Sequence, residues 1–196
     1  MKSLKVRWTL WLRGVLCFSL LGAWVAGGAE PTAFELIKEG NRSLGEQSKD
    51  KVLEIHSDKS VASLTPNIWY VVYFDPDATS KRAEVKFGAG RQMGIKHNWR
   101  PLGGGGSVDK LLDLKKLKID SDHAIKIATA EHLLDKLTIK ASQLWLENSG
   151  AAPIWKVRLW AAKLNKPDAT VDIGEIFISA ESGEVVKSDL RINKVD

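Results

Sequence analysis

Apolar and polar residues alternate along Pro153–Trp160, the pattern of a half-buried antiparallel strand. Trp155, Val157 and Leu159 fall on one side of it, and Lys156, Arg158 and Trp160 on the other. The same alternation runs through Gly174–Val186. There Ser182-Gly183 predicts a tight turn into a further strand over Glu184–Ile192. Ile139–Glu147 reads as the first strand of this set, with a turn at Asn148–Ala152. Before it, Ala124, Ile125, Ala128, Leu133, Leu134 and Leu137 share one helical face. Asp120-Ser-Asp122 supplies N-cap candidates and negative charge at the start of that helix.

A fainter copy of this order lies upstream. Phe34, Ile37 and Leu44 have helical spacing, with Gly40 as a terminator or weak point. Val52–Ile55, Ile68–Phe74 and a segment beginning Val85–Phe87 predict strands. Trp69 matches Trp155, and Glu84-Val-Lys-Phe-Gly-Ala matches Glu175-Ile-Phe-Ile-Ser-Ala without a gap. The pattern therefore reads as an internal duplication, with repeat one over 30–101 and repeat two over 108–196. The glycine run in 102–107, Leu-Gly-Gly-Gly-Gly-Ser, reads as a flexible joint between them. No Gly-Lys-Ser/Thr follows that run, so it lacks the chemistry of a phosphate-binding loop.

The first 29 residues change the meaning of the composition. Lys2, Lys5, Arg7 and Arg13 precede an apolar run over Gly14–Ala26, and Gly27-Gly-Ala29 offers small residues for cleavage before Glu30. This is the anatomy of a secretory signal peptide. The apolar run is shorter than the ~20 residues that span a bilayer. Cys17 sits inside the apolar run, whereas a lipidated cysteine follows it. The whole chain carries 29 Lys and Arg against 24 Asp and Glu. The leader holds four basic residues and no acidic ones, so removing it leaves a nearly neutral chain and withdraws the argument for nucleic-acid binding. The sole cysteine leaves with it, so apolar burial rather than disulfides must stabilise the mature chain. A secreted or periplasmic location follows, with no stable membrane span after cleavage.

Candidate chemistry is sparse. The sequence has no His-Glu-x-x-His, no Gly-x-Ser-x-Gly and no clustered metal ligands. His56, His97, His123 and His132 follow no motif spacing, and the last two read as solvated helix residues. Asp75-Pro-Asp-Ala-Thr-Ser80 has hairpin-turn chemistry. Asp75 and Asp77 could open a calcium loop, but a dedicated site needs more oxygen ligands than these supply. No catalytic residue, metal or cofactor is therefore expected, although paired carboxylates leave a hydrolase reading open. What stands out is the face opposite Trp155, where Trp145, Lys156, Arg158, Trp160, Glu175 and Phe177 would lie. Aromatic residues and arginine are enriched at interfaces. This face is either the contact between the two repeats or a site for an external partner, with Trp145, Lys156, Arg158, Trp160 and Phe177 as the binding candidates.

Ile119-Asp-Ser-Asp-His-Ala-Ile-Lys-Ile-Ala128, Trp155-Lys-Val157 and Ile176-Phe-Ile-Ser-Ala-Glu-Ser-Gly-Glu-Val-Val186 together resemble a PepSY domain. The likeness covers about Lys118–Ile192, and Thr32–Ile95 more faintly. Ser179 stands where members often carry Asp, and Gly88-Ala-Gly-Arg-Gln-Met-Gly94 replaces the Ser-Gly turn in the first half. The resemblance implies an α+β fold of two cystatin-like helix-on-antiparallel-sheet repeats. It also implies a non-catalytic extracytoplasmic module that binds, and in some members inhibits, a peptidase. A structural or assembly protein of the cell envelope is the alternative.

Overall fold

The structure is a computed structural model that describes residues 30–97, 110–150 and 152–195. The leader expected over 1–29 and the glycine joint expected over 102–107 lie outside the described residues. In chain order the elements are α1 (Ala33–Asn41), β1 (Val52–Ser57), β2 (Ile68–Phe74), β3 (Arg82–Gly88), β4 (Arg91–His97), α2 (Ser121–Thr129), β5 (Ile139–Ser149), β6 (Ala152–Lys163), β7 (Lys166–Ser179) and β8 (Val185–Leu190). Short 3-10 turns follow α2 and β8.

All eight strands join one antiparallel sheet in the order β4-β3-β2-β1-β5-β6-β7-β8. This overturns the expected α+β fold of two cystatin-like helix-on-sheet repeats. The molecule is one continuous sheet, and its only α-helices among the described residues are two nine-residue segments. β1 and β5 pair edge to edge, with Ile55 opposite Leu146 and His56 opposite Trp145. The reason for the miss is physical: alternation fixes the face each side chain takes, but not which strand edge meets which. Two separate four-stranded sheets would leave four open edges, and joining β1 to β5 removes two of them.

Serines stitch that seam. Ser57 Oγ accepts the Leu144 amide at 2.9 Å, Ser60 Oγ accepts the Ser142 amide at 2.9 Å, and Ser142 Oγ donates to Leu64 O at 2.5 Å. All three serines are buried, as hydroxyls with satisfied hydrogen bonds can be.

A single apolar core lies between the sheet and the two helices. Trp155, Val157, Leu159, Ile176 and Ile178 are all fully buried in it, as the alternation predicts. Trp69, Val71, Tyr73, Val85 and Phe87 are their counterparts in the other half. Trp155 donates its indole N–H to Ile119 O at 2.8 Å, and Trp69 donates to Pro66 O at 2.9 Å. The helix N-termini meet above the sheet. The Ala33 amide donates to Ser121 Oγ at 3.0 Å and the Phe34 amide to Asp120 Oδ1 at 3.2 Å. Asp120 thus caps both helices, and its burial pushes its carboxyl above the ordinary range. Phe34 of α1 stacks on Trp155, with ring centroids 6.4 Å apart.

Three local expectations are corrected. α2 stops at Thr129, whose hydroxyl bonds back to Ile125 O at 2.8 Å. Leu134 is consequently buried from a 3-10 turn, while Leu133 is 53% exposed. Gly40 does not end α1 but lies within it, against the ring of Tyr73, whose hydroxyl donates to Ile37 O at 2.9 Å. β7 also begins well before the expected Gly174. That glycine has φ +109° and marks an irregularity inside a longer strand.

Candidate functional site

The face of the sheet away from the helices carries a row of side chains that no single strand reveals. Register places Lys86 opposite Tyr70, Tyr70 opposite His56, and His56 opposite Trp145. Trp145 then lies opposite Lys156, Lys156 opposite Phe177, and Phe177 opposite Lys187. The row crosses seven of the eight strands. At the ~4.8 Å spacing of neighbouring strands it is about 29 Å long.

Its members touch. His56 stacks between Tyr70, at 4.8 Å and 15°, and Trp145, at 4.6 Å and 19°. Lys86 Nζ lies 5.2 Å from the Tyr70 ring centre, and Lys187 Nζ lies 5.3 Å from that of Phe177. Such cation–π contacts favour the charged amine. The Lys86 ammonium is held charged above its ordinary range chiefly by its hydrogen bond to Tyr70. Lys156 is paired with Glu147. The indole nitrogen of Trp145 is buried and has no hydrogen-bond partner among the described residues.

One flank of the row is acidic and buried. Glu54 lies 3.5 Å from His56 Nδ1 and 3.9 Å from Arg82. Burial raises the Glu84 carboxyl above its ordinary range, against the lowering effect of His56 and Lys96. Leu53, Glu54, Arg82, Lys110, Glu147, Asn148 and Gly150 enclose a cleft of about 190 Å³ there. Both of its carboxylates have cationic neighbours, which makes the cleft an ion network more than a two-carboxylate catalytic pair.

A second cleft, of about 220 Å³, contains Ser48, Asp75, Asp77 and His97. Asp75 accepts the Asp77 amide at 3.0 Å and pairs with His97 at 2.9 Å. Burial would raise the Asp75 carboxyl, but the His97 bond and the turn amides outweigh it and hold it below the ordinary range. Asp75 therefore builds the turn rather than a calcium loop. Among the described residues no group of three or more His, Cys, Asp or Glu could hold a metal. His123 and His132 are exposed.

Of the five predicted binding residues, the structure brings Trp145, Lys156 and Phe177 into the row. Arg158 lies one row over, exposed, bonded to Glu175 at 2.6 Å and 3.8 Å from Asp172. Trp160 is further along β6, opposite Asp172, with Lys59 Nζ 4.6 Å above its ring. The first half does not stack on this face; it extends the sheet sideways, so this face is not a buried contact between two stacked repeats. Sequence reasoning missed His56, Tyr70, Lys86 and Lys187. Tyr70 shares its side of β2 with the apolar Val72 and Phe74, so the pattern of that strand does not single it out.

No protein-family model matches the chain, and neither a curated protein nor a solved structure matches it. The PepSY resemblance therefore rests on the quoted residues alone.

Proposed function

We propose that this chain is a non-catalytic extracytoplasmic binding protein that recognises another protein with the open face of its sheet. The supporting observation is the row from Lys86 to Lys187, an array of aromatic and cationic side chains on the face that the helices leave uncovered. Trp, Tyr and Arg dominate binding energetics because they combine apolar area with a polar tip. Lys156 pairs with Glu147, Arg158 with Glu175 and Lys187 with Asp189, so most cations of this face are matched by acids. It suits a partner of mixed apolar and polar surface better than a polyanion. The PepSY resemblance favours a peptidase as that partner, and the proposal extends to inhibition.

The test uses the chain from Glu30 as bait in an extracytoplasmic extract, alongside a Lys156→Ala/Phe177→Ala double variant of equal thermal stability. The reading expects a specific partner that wild type captures and the double variant loses, with peptidase activity of that partner reduced in the complex. A partner held equally well by both proteins would move the site elsewhere. Turnover of peptide or glycoside substrates by the purified chain, abolished by one point substitution, would replace the binding reading with an enzymatic one.

A further inference from the structure

The outer edge of the C-terminal half matches itself chemically. β8 ends the strand order, with β7 on one side and no described strand on the other. Five of its six residues are exposed, Val186 by 61%. Ser188 lies opposite Ile176 on the core side, while Lys187 and Asp189 lie opposite Phe177 and Glu175 on the open face. The Arg191 amide donates to Ile173 O at 2.7 Å, so Arg191 directs its backbone groups at β7. By alternation Lys187 and Asp189 do the same, and Ser188 and Leu190 present theirs outward. Along Val186-Lys187-Ser188-Asp189-Leu190 the side chains run apolar, cationic, small, anionic, apolar. Reversed, that order is its own complement.

We propose that β8 is a homodimer edge, two copies pairing their β8 strands antiparallel about a two-fold axis at Ser188. In this register the outward backbone groups of the two Ser188 residues bond to each other. Lys187 of each copy then faces Asp189 of the other at a non-hydrogen-bonded position, where opposed side chains come closest. Val186 faces Leu190, which covers the exposed valine. In a single copy Lys187 bonds its own Asp189; in the dimer each exchanges to the partner. A lysine on an edge strand ordinarily repels a second edge, but an aspartate two residues on makes it selective for an antiparallel copy of itself.

The other outer strand, β4, reads Arg-Gln-Met-Gly-Ile-Lys-His and carries no acid, so it cannot pair with itself in the same way. An isologous contact at one edge closes at two copies and does not propagate into a filament. The join would repeat between molecules what β1 and β5 do within one.

Sedimentation velocity over a concentration series tests this on the full chain from Glu30. Wild type is expected to dimerise. Lys187→Asp and Asp189→Lys, each shown by circular dichroism to be folded, are expected to weaken the dimer at least on the order of tenfold, because each sets like charges opposite one another. Mixed in equal amounts, the two variants should associate again, since one then carries only acids and the other only bases at these positions. Wild type that stays monomeric throughout, single variants that dimerise as wild type does, or a mixture that fails to associate would each overturn the proposal.

Discussion

Trp155 and Phe177 lie on neighbouring strands, one register step apart and on opposite faces, and the difference decides what each does. Trp155 is fully buried, bonded through its indole nitrogen and covered by Phe34. Trp155→Ala should therefore cost about 3–5 kcal/mol in urea unfolding, as truncation of a large core aromatic does. Phe177 is half-buried on the open face, and Phe177→Ala should cost no more than about 1 kcal/mol. Equal losses would mean that the open face is part of the core. Asp75 gives a prediction with a pH signature. Its carboxyl is lowered in the fold, so its contribution is present above the ordinary carboxylate range and is lost as pH falls through the folded value. Asp75→Asn should be less stable than wild type by about 1.5–3 kcal/mol at pH 7, the scale of a hydrogen bond to a charged group. That gap should close as the pH is taken below the reference value of 3.8. A gap that stays constant down to pH 2.5 would show that charge plays no part in the turn.

At the scale of elements, a glycine inside the last turn of α1 looks like a flaw that alanine would repair, since the propensity gain is up to about 1 kcal/mol. The packing predicts the opposite. A Cβ on Gly40 would run into the Tyr73 hydroxyl, which is bonded to Ile37 O in the same helix. Gly40→Ala should lower the melting temperature, and Gly40→Ala in a Tyr73→Phe background should recover part of that loss. If Gly40→Ala stabilises the protein, α1 does not sit against Tyr73. Elements were also where the sequence was most legible. β2 spans the predicted Ile68–Phe74, the N-cap of α2 is Asp120, one of the candidates in Asp120-Ser-Asp122, and Trp155, Val157, Leu159, Ile176 and Ile178 all face the core. These features follow from periodicity and local chemistry. The end of α2 was not legible, because apolar spacing continues through Leu133 while Thr129 turns the chain. Thr32-Ala-Phe-Glu35, which closes the start of α1 through a 3.0 Å bond from the Thr32 amide to Glu35, was legible and overlooked.

What could not be read was the lateral join between the two halves, and that sets the behaviour of the whole molecule. The row through His56 and Trp145 exists only because β1 meets β5, and no pattern within either strand announces the pairing. The seam also determines how the chain unfolds. The halves share a core in which Phe34 covers Trp155, the α1 amides bond Ser121 and Asp120, and buried serines tie the seam. Removing residues 30–109 would strip β1 and the seam serines from one edge of β5, an eleven-residue strand, and uncover Trp155. A long unpaired edge beside an exposed core favours association over folding. The full chain should therefore unfold in one transition, with circular dichroism and tryptophan fluorescence coinciding, because Trp69 and Trp155 report opposite halves of one cooperative unit. A fragment of residues 110–196 should show no cooperative melt of its own. Two separated transitions in the full chain, or a sharp transition in the fragment, would show that each half is stable alone. In that case the β1–β5 seam would be a docking contact between independent units rather than part of a single core.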